Sequence, residues 1–565
     1  MTTMTGGAAV VEALRLEGVT HAFGLIGTVT LDILDELYGH ADITYVGVRH
    51  EQNAAHMADG YARVSGRPGF ALAGQCGPGA TNLLTGIAQA QLAFSPVVAL
   101  AGLPASAQLD TGTFQEVDQH AMFRAVTKKT FTVNQTARLP YYVRQAFRIS
   151  ESGRKGPVVI NVPGDVLSGR AEFAFWRPEA YRAVDSVAPA PLAVARAAQL
   201  LNEAKRPLII AGAGVKWARA GGRLAALAER LNAPVAASAG SPDVLPNDHP
   251  LYAGQVGPRG NVVATDLART ADVILALGTR LGFNTTFHSN DNISAEAKII
   301  QVDLEPSVIG RIFPVALGVV ADAGEMIDAL VPAIRVGADR AGWVSDFQAR
   351  RRALLESRAE AARRPTKVLH PVAVCAALQR AMPRDVIITL DTGNCALQST
   401  DVLQTFQMPA FITPLDFGLV GFAYAAGLGA KAAAPERPVI SIMGDGGFGM
   451  QMNELGTALQ AGLNTVAVVM NNGCWGAEKA YQRDFFAGRY VGADIVNPAY
   501  DAVARAFGAR GVRADTADDV TSALEEALRH PDRPTVIEVA VDPDALVSLR
   551  KDPFEHRITA AAAAP

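Results

Sequence analysis

The sequence predicts an α/β protein that consists of three doubly wound domains, each with a parallel sheet. Short apolar strands alternate with amphipathic helices along most of the 565 residues, which is the pattern of α/β folds. Segments 271–278 and 297–305 are mainly apolar, as expected for strands buried on both faces of a parallel sheet. Segments 186–193 and 357–371, rich in proline, alanine or charge, separate three parts of the chain.

The two separating segments set the expected domain limits. The length of the chain is typical of three or four domains. We expect a first domain, a middle domain, a third domain and a C-terminal tail over residues 1–185, 190–335, 365–545 and 546–565. The last residues of the tail, ITAAAAAP, have low complexity, and we expect them to be frayed.

Two parts of the chain resemble each other. Residues 68–102 and residues 437–472 each read as a strand, a glycine-rich loop, a helix and a second buried strand. Each is therefore interpreted as a βαβ unit. Such units also recur by chance, so internal duplication and coincidence both stay open at this point.

The composition excludes several classes of protein. The net charge is −4 and no basic block is present, so we expect no nucleic-acid partner. The four cysteines are scattered and form no C-x-x-C pair, which predicts neither a disulfide framework nor a zinc site. The first residues lack the pattern of a signal peptide, and the apolar runs are too short to span a bilayer. We therefore expect a cytoplasmic protein without a membrane partner.

The stretch GDGGFG at 444–449 follows an apolar strand. Glycines there allow a phosphate group to approach the backbone. Asp445 and a phosphate are both anions, so an acid at this position suits a phosphate only when a divalent cation lies between them. The alternative is an ordinary turn in which Asp445 caps a helix.

The stretch VVMNNGCWGAEKAYQ, at 468–482, supports the cation. Asn472 lies 27 residues after Asp445, at the end of the next strand. Because neighbouring parallel strands end at the same edge of a sheet, these two side chains are expected to meet. A carboxylate, an amide oxygen and a backbone carbonyl are hard ligands of the kind that Mg²⁺ binds.

These motifs resemble those of the acetolactate synthase-like thiamine diphosphate enzymes, and the resemblance covers nearly the whole chain. The pairing of GDG with a later NN is typical of that family. Within the similar segment 417–431, Ala425 replaces a proline of the family. Further similar segments are VRHEQNAAHMADGYAR, CGPGATNLLTGIA, FQEVDQ with the later Thr127 and Lys128, and FGLVGFAYAAGLGAK, at 48–63, 76–88, 114–119 and 417–431.

The resemblance implies thiamine diphosphate and Mg²⁺ as cofactors, bound between a pyrimidine-binding first domain and a diphosphate-binding third domain. It implies that Asp445, Asn472 and the carbonyl of Cys474 bind the metal. It also implies that Val420 holds the cofactor bent. The cofactor-binding residues implied are Gly27, Glu51, Gly79, Asn82, Val420, Gly444, Asp445, Gly446, Gly447, Asn472, Cys474, Trp475 and Gly476.

The resemblance further implies an oligomer. In the family, the glutamate at the position of Glu51 in one subunit meets the metal ligands of another subunit. A homodimer is then the minimum catalytic unit, and a homotetramer is the usual assembly.

Four side chains are candidates for catalysis. Glu51 begins a helix and supplies the carboxyl group that activates the cofactor at its pyrimidine nitrogen N1′, in keeping with the resemblance. Glu478 follows the asparagine pair; in a dry cavity its pKa would rise, which suits a group that moves protons. The alternative for Glu478 is a surface glutamate paired with Lys479 or with a nearby arginine. Gln115 is expected to reach the substrate, and His120 is a weaker candidate beside it.

The sequence predicts the reaction less specifically than it predicts the cofactor. Acetolactate synthases carry apolar or amide residues where this chain has Glu478 and Tyr481, and the WGAEK pattern is most similar to sulfoacetaldehyde acetyltransferases. Residues 24–37 and 550–557 depart from those enzymes. We expect a C–C lyase, carboligase or acetyltransferase, with a 2-hydroxyacyl-CoA lyase or 2-oxo acid decarboxylase as the alternative.

Two further classes of protein would show other sequence features. A non-catalytic cofactor-binding subunit would lack Glu51 or the metal ligands, which are present. A nicotinamide dehydrogenase needs G-x-G-x-x-G and an acidic residue about 20 residues later, and no good instance occurs. The middle domain has a lone G-x-G within 209–222, and relatives bind FAD, ADP, CoA or nothing in this domain. The sequence favours no tightly held ligand there.

Overall fold

The structure is a computed structural model that describes residues 2–182, 184–335, 340–400, 402–550, 552–554 and 556. The described residues contain three six-stranded sheets in which every pairing is parallel, and helices surround each sheet. The predicted fold class is therefore confirmed. Within the described ranges, no helix combines the length and the apolar composition needed to cross a membrane.

The first domain forms one parallel sheet and a small two-stranded ribbon. Its strands are β1 (Thr2–Thr5), β2 (His21–Leu25), β3 (Thr44–Gly47), β4 (Gly69–Ala73), β5 (Val97–Leu103), β6 (Lys129–Thr132), β7 (Val158–Pro163) and β8 (Arg170–Phe173). Its helices are α1 (Gly6–Leu16), α2 (Leu31–Tyr38), α3 (Glu51–Ser65), α4 (Pro78–Leu92), α5 (Gln119–Arg124), α6 (Leu139–Glu151) and α7 (Gly164–Ser168). The sheet order is β3-β2-β4-β5-β7-β6, and β1 pairs with β8.

The middle domain has the order β11-β10-β9-β12-β13-β14, in which the direction of winding reverses between β9 and β12. Its strands are β9 (Pro207–Ala211), β10 (Val235–Ala237), β11 (Tyr252–Gln255), β12 (Val273–Leu277), β13 (Lys298–Asp303) and β14 (Leu317–Val320). Its helices are α8 (Pro191–Glu203), α9 (Ala213–Trp217), α10 (Gly221–Leu231), α11 (Val262–Thr270), α12 (Phe283–Thr286) and α13 (Ala323–Ala333).

A long helix, α14 (Ala341–Arg363), leads into the third domain. The segment 357–371, expected as a linker from its charge, is therefore helical up to Arg363. Its alanine, arginine and glutamate residues are strong helix formers, which explains the difference.

The third domain contains the third sheet. Its strands are β15 (Ile387–Leu390), β16 (Phe411–Ile412), β17 (Val439–Gly444), β18 (Val466–Asn471), β19 (Arg510–Ala514) and β20 (Thr535–Ala540). Its helices are α15 (Pro371–Ala381), α16 (Asn394–Ser399), α17 (Ala423–Ala433), α18 (Asp445–Gly449), α19 (Glu454–Ala461), α20 (Gly476–Phe485), α21 (Tyr500–Phe507) and α22 (Ala517–Arg529). The sheet order is β16-β15-β17-β18-β20-β19.

The first and third sheets share one topology. Numbered within each domain from the first strand of the parallel sheet, both have the spatial order 2-1-3-4-6-5, whereas the middle sheet has 3-2-1-4-5-6. The two similar segments, 68–102 and 437–472, become β4-α4-β5 and β17-α18-α19-β18 at the same central places. This shared order supports internal duplication over coincidence.

Helices α3 and α17 join the first and third domains within one chain. A Cβ atom on Gly60 of α3 would lie 2.0 Å from the carbonyl oxygen of Ala426, and one on Gly429 of α17 would lie 1.9 Å from that of Met57. The helices therefore approach more closely than any larger residue permits at these two positions. The buried Glu454 adds polar contacts across the same junction.

Candidate functional site

Asp445 lies at the carboxyl end of β17, where it begins α18. Its side chain is buried, and its Oδ2 accepts a hydrogen bond from Asn497 Nδ2 at 2.6 Å. The Tyr500 hydroxyl group donates to the backbone carbonyl of Asp445 at 2.8 Å and also contacts Asn497 Oδ1 at 2.9 Å. Burial raises the pKa of Asp445, and hydrogen bonds from Asn497 and from backbone N–H groups, including that of Gly473, oppose the rise.

The turn after β18 packs against Asp445. Gly473 has φ +65°, a left-handed conformation that glycine adopts without strain. Its N–H donates to Asn471 Oδ1 at 3.1 Å, and Asn471 Nδ2 donates to Glu538 Oε1 at 2.8 Å. Glu538 on β20 therefore helps to fix this turn, a role that the sequence analysis missed.

The other predicted metal ligands lie in this turn. Asn472 Oδ1 accepts a hydrogen bond from the backbone N–H of Cys474 at 3.3 Å. Cys474 is buried, and its backbone forms an isolated antiparallel bridge with Asp494. Because Gly444 is paired with Met470 and Gly446 packs against Trp475, the structure brings Asp445 and the segment of Asn472 and Cys474 to one place.

Small residues surround this place. A Cβ atom on Gly446 would lie 2.4 Å from the Trp475 ring. One on Gly447 would lie 2.8 Å from Asp391 Oδ2 and 3.6 Å from Val420 Cγ1. The glycines therefore form a cradle that has no room for larger side chains, and both Trp475 and Val420 border it.

The remaining predicted glycines of the third domain flank the cradle. Gly444 is the last residue of β17, and Gly476 is the first residue of α20. A Cβ atom on Gly476 would lie 3.1 Å from Asn472 Nδ2, so α20 begins directly beside that predicted ligand.

Asp391 was missed by the sequence analysis. It follows β15, is fully buried, and its Oδ2 accepts hydrogen bonds from the backbone N–H groups of Gly421 and Phe422 at 3.1 and 3.2 Å. Burial raises its pKa to about 6, against the effect of these hydrogen bonds. Asp391 thus holds the loop that carries Val420. The available signal was an aspartate directly after an apolar strand, as at Asp445.

Glu51 is the first residue of α3 and lies buried in the first domain. Asn82 Nδ2 donates to its Oε2 at 3.0 Å. A Cβ atom on Gly79 would lie 3.2 Å from its Oε1, so the glycine leaves space beside the carboxylate. Gly27, after β2, packs on the next loop: a Cβ atom there would lie 2.3 Å from the carbonyl carbon of Gly74.

Gln115 lies on the same side of the first sheet as these residues. It has φ +62°, which is unusual for a residue with a side chain. Its Oε1 accepts a hydrogen bond from Gln75 Nε2 at 2.5 Å. The structure therefore brings Gln115 beside the CGPGATN loop, and its contact with the substrate stays a prediction.

Two of the catalytic candidates, His120 and Glu478, lie neither among the residues around Asp445 nor among those around Glu51. His120 is exposed, and its Nδ1 lies 3.1 Å from Thr132 Oγ1 on the edge strand β6. Glu478 is exposed on α20, and Lys479 pairs with Asp494 at 2.6 Å. Among the described residues no ion pair joins Glu478 to Lys479, and the exposed Glu478 side chain is not enclosed in a dry cavity within one chain.

The described part of the C-terminal tail covers α20. The Phe554 ring lies 5.2 Å from the Tyr481 ring and is stacked on that of Phe485 at 4.8 Å. The backbone N–H of Arg550 donates to the Tyr481 hydroxyl group at 3.2 Å. The expectation of a frayed end concerns residues that lie outside the described part of the chain.

The middle domain has a cleft of about 710 Å³ at the carboxyl ends of β9, β12 and β13, bordered by the first domain. Phe94 and Arg280 both line it and contact each other, with the guanidinium carbon 4.6 Å from the ring centroid. A Cβ atom on Gly214 would lie 2.6 Å from Gly278 Cα, so backbone packing accounts for the G-x-G without a ligand. The expectation of no tightly held FAD, ADP or CoA stays a prediction.

The donor groups of the third domain suit a hard cation. In the part of the chain that the structure describes, no group of three or more His, Cys, Asp or Glu side chains forms a metal cluster. The predicted ligands of this chain are of another kind, because they comprise one carboxylate, one amide oxygen and one carbonyl. The glycine cradle and the buried Asp445 are compatible with a diphosphate that is joined to the carboxylate through Mg²⁺.

Comparisons with known proteins agree with this arrangement. Three family models match: "Thiamine pyrophosphate enzyme, N-terminal TPP binding domain" at residues 4–122, the "central domain" at 194–330 and the "C-terminal TPP binding domain" at 391–539. Thiamine pyrophosphate is another name for thiamine diphosphate.

Curated relatives cover nearly all of the chain. The sulfoacetaldehyde acetyltransferase of Castellaniella defragrans is 36% identical over 561 residues, covering 95% of this chain and 93% of the relative. The acetolactate synthase large subunit of Corynebacterium glutamicum is 33% identical over 557 residues, covering 96% and 88% respectively. The chain therefore belongs to the thiamine pyrophosphate enzyme family and is a thiamine diphosphate-dependent enzyme of the acetolactate synthase and sulfoacetaldehyde acetyltransferase type.

Proposed function

We propose that the protein is a Mg²⁺-dependent transferase or lyase that makes or breaks a bond to a carbonyl-derived carbon, and that sulfoacetaldehyde or a small 2-oxo acid is the donor. The observation that carries the proposal is the meeting of Asp445 with the turn after β18 beside the glycine cradle. Relatives named sulfoacetaldehyde acetyltransferase favour an acetyl transfer.

The third domain would hold the metal and the diphosphate. The Asp445 carboxylate, the Asn472 amide oxygen and the Cys474 carbonyl are the proposed ligands of Mg²⁺. Gly444, Gly446, Gly447 and Gly476 are the proposed backbone contacts of the diphosphate, and Trp475 and Val420 pack beside this backbone. Asn497 holds one oxygen of Asp445 and so orients this carboxylate.

The first domain would bind the pyrimidine end of the cofactor. When bound, thiamine diphosphate supplies a carbon centre that stabilises negative charge next to a former carbonyl group. Glu51 holds or releases a proton at its carboxyl group, and Asn82 orients that group through Oε2. Gln115 contacts the substrate, and Glu478 moves a proton once its surroundings exclude water.

A second copy of the chain is needed to exclude water from the surroundings of Glu478. Ile26 and Phe114 on the first domain are 62% and 80% exposed, and Met450 and Val491 on the third domain are 58% and 80% exposed. Apolar side chains exposed beside both halves of the site are typical of a surface that is covered in an assembly. We propose a homodimer as the minimum unit and a homotetramer as the usual form.

The test is a screen of the purified protein with thiamine diphosphate and Mg²⁺. The donors are sulfoacetaldehyde with phosphate, pyruvate and a 2-hydroxyacyl-CoA, and light scattering gives the molecular mass. We expect turnover on sulfoacetaldehyde or pyruvate that is lost when either cofactor is omitted, and a dimer or tetramer. Glu478→Gln should keep cofactor affinity and lose turnover. Turnover on the CoA ester alone, or a cofactor-binding monomer without turnover, contradicts the proposal.

Replacing Asn497 with alanine should weaken Mg²⁺ binding. The 2.6 Å hydrogen bond that orients Asp445 would be lost, and removal of such supporting groups weakens metal binding by about 10- to 100-fold. Titration of Mg²⁺ into the protein, followed by calorimetry with thiamine diphosphate present, measures the change.

The control for Asn497 is Asn464→Ala. Asn464 lies before β18, at the amino end of the strand that leads to the metal turn, and its amide contacts only the Pro531 carbonyl among the described residues. We expect unchanged Mg²⁺ affinity in this variant. Equal affinities in all three proteins would remove Asn497 from the metal site.

A further inference from the structure

The amide orientation of Gln75 is fixed by a group that can only donate. The backbone N–H of Thr28 lies 2.9 Å from one end of this amide, so that end is the oxygen, Oε1. The Thr28 hydroxyl group donates to the same oxygen at 3.0 Å. The other end of Gln75 is therefore the Nε2 donor, and it faces Gln115.

The orientation passes on to Gln115. Since Gln75 Nε2 donates, the atom of Gln115 that faces it must be the acceptor, Oε1. The Cys76 thiol approaches the same oxygen at 3.8 Å, which again suits an acceptor. Nε2 of Gln115 points away from Gln75, and no described residue accepts a hydrogen bond from it.

The backbone of Gln115 cannot turn the side chain elsewhere without cost. Its φ of +62° is a strained value for a residue with a Cβ atom, and such strain is concentrated at functional sites. A Cβ atom on Gly77 would lie 2.3 Å from its carbonyl oxygen. Gln119 accepts from the Gly77 N–H at 3.0 Å, and Glu116 accepts from three backbone N–H groups of the preceding loop. The segment is thus held on both sides of Gln115.

This network lies next to Glu51. A Cβ atom on Gly79 would lie 3.5 Å from Gln75 Cβ and 3.2 Å from Glu51 Oε1, so one small space separates the two side chains. An unpaired donor in a held segment beside the activating carboxylate is placed to bind an oxygen of the reacting molecule.

We propose that Gln75 is a positioning residue which turns the Nε2 group of Gln115 toward the substrate, so that Gln115 selects molecules that offer an oxygen acceptor. This inference rests on the proposed function for the identity of the reacting molecule. The acceptor oxygen belongs either to the donor substrate, as a carboxylate or sulfonate, or to phosphate as the second substrate.

Gln75→Glu inverts the arrangement with almost no change of shape. A carboxylate still accepts from Thr28, but its second oxygen is also an acceptor, so the Gln115 amide must rotate and present Oε1 to the substrate. Gln75→Met removes all three hydrogen bonds to Thr28 and Gln115 without adding a charge. Each variant is made in the wild-type and in the Gln115→Ala background, which gives two double-mutant cycles.

The measurement is calorimetric titration of three probes: pyruvate, ethanesulfonate and inorganic phosphate. In the wild-type background we expect Gln75→Glu to lower the affinity for the recognised probe by about tenfold or more, and Gln75→Met to lower it by a smaller factor. In the Gln115→Ala background Gln75→Met should change the affinity for the probe by less than about twofold. Gln75→Glu should keep only that part of its affinity loss which its negative charge causes. Unchanged affinity for thiamine diphosphate and an unchanged unfolding midpoint separate positioning from a structural role.

The probes identify the source of the oxygen. Coupling between Gln75 and Gln115 in the binding of pyruvate or ethanesulfonate assigns Gln115 to the donor substrate. Coupling in the binding of phosphate assigns it to the second substrate, and either result supports the proposal. Equal losses in the two backgrounds, or no binding of any probe to the wild type, overturn it. Failure of the proposed function is seen separately, as absent cofactor-dependent turnover, because these titrations need no turnover.

Discussion

Glu51→Gln is expected to lower kcat on the accepted donor by about 100- to 10,000-fold, the range that a positioned proton-transferring group contributes. Glutamine has nearly the shape of glutamate, and Asn82 Nδ2 can still donate to its amide oxygen. The variant therefore keeps the buried contacts of Glu51 but cannot hold a proton on a carboxyl group. Initial rates over a range of donor concentration measure the loss.

Three further results make this prediction specific. The affinity for thiamine diphosphate and the unfolding midpoint should change little, because the site keeps its shape. Glu525→Gln, on the exposed face of α22, is the matched control and should retain wild-type kcat. Retention of about half of the wild-type kcat in Glu51→Gln would contradict the role given to Glu51.

The sequence predicts that Asp445 and the segment of Asn472 lie close together, because that argument depends on spacing and topology alone. Asp445 and Asn472 follow two buried strands that are consecutive in the βαβ unit, and parallel neighbours end at the same edge of a sheet. Glu51 is predicted from its place after a strand-like segment together with the family resemblance, and Gly79 from the resemblance alone.

Residues that act through other residues could not be predicted in this way. Asp391 binds backbone groups 30 residues later in the chain, and Asn497 reaches Asp445 across 52 residues. The place of Asp391 directly after an apolar strand is a local signal, but the local sequence does not show which distant groups an aspartate or asparagine will contact. Gln75 belongs to the same group, since its importance appears only once Thr28 and Gln115 are known to flank it.

Glu478 shows a different limit. Its position after the metal turn predicts nearness to the reacting carbon, but its predicted dry surroundings are absent in the described single chain, where it is exposed. Sequence motifs state which residues occur in a site and not which surfaces cover it. The proposed dimer gives a physical reason for the difference, because covering the exposed apolar side chains on both domains would also change the solvation of Glu478.

Gly60→Ala and Gly429→Ala are each expected to destabilise the protein by about 3 kcal/mol or more, at the upper end of the usual effect of overpacking. The added Cβ atoms would lie 2.0 and 1.9 Å from backbone carbonyl oxygens of the facing helix. Backbone atoms cannot move aside as a flexible side chain does, so α3 and α17 must separate. Separation also strains the hydrogen bonds that Glu454 accepts from Asn53 and from the Arg49 N–H.

Thermal unfolding gives the measurement, with the midpoint expected to fall by about 2–3 °C or more for each variant, since the unfolding entropy is about 2.1 cal/mol/K for each of the 565 residues. Gly222→Ala in α10 is the control, because no atom lies within 4 Å of its added Cβ; we expect an unchanged or slightly higher midpoint there. Since α3 begins with Glu51, separation of the helices should also lower kcat at temperatures below the midpoint. Midpoints equal to that of Gly222→Ala would mean that the two helices do not pack through these glycines, and the junction between the first and third domains would need another explanation.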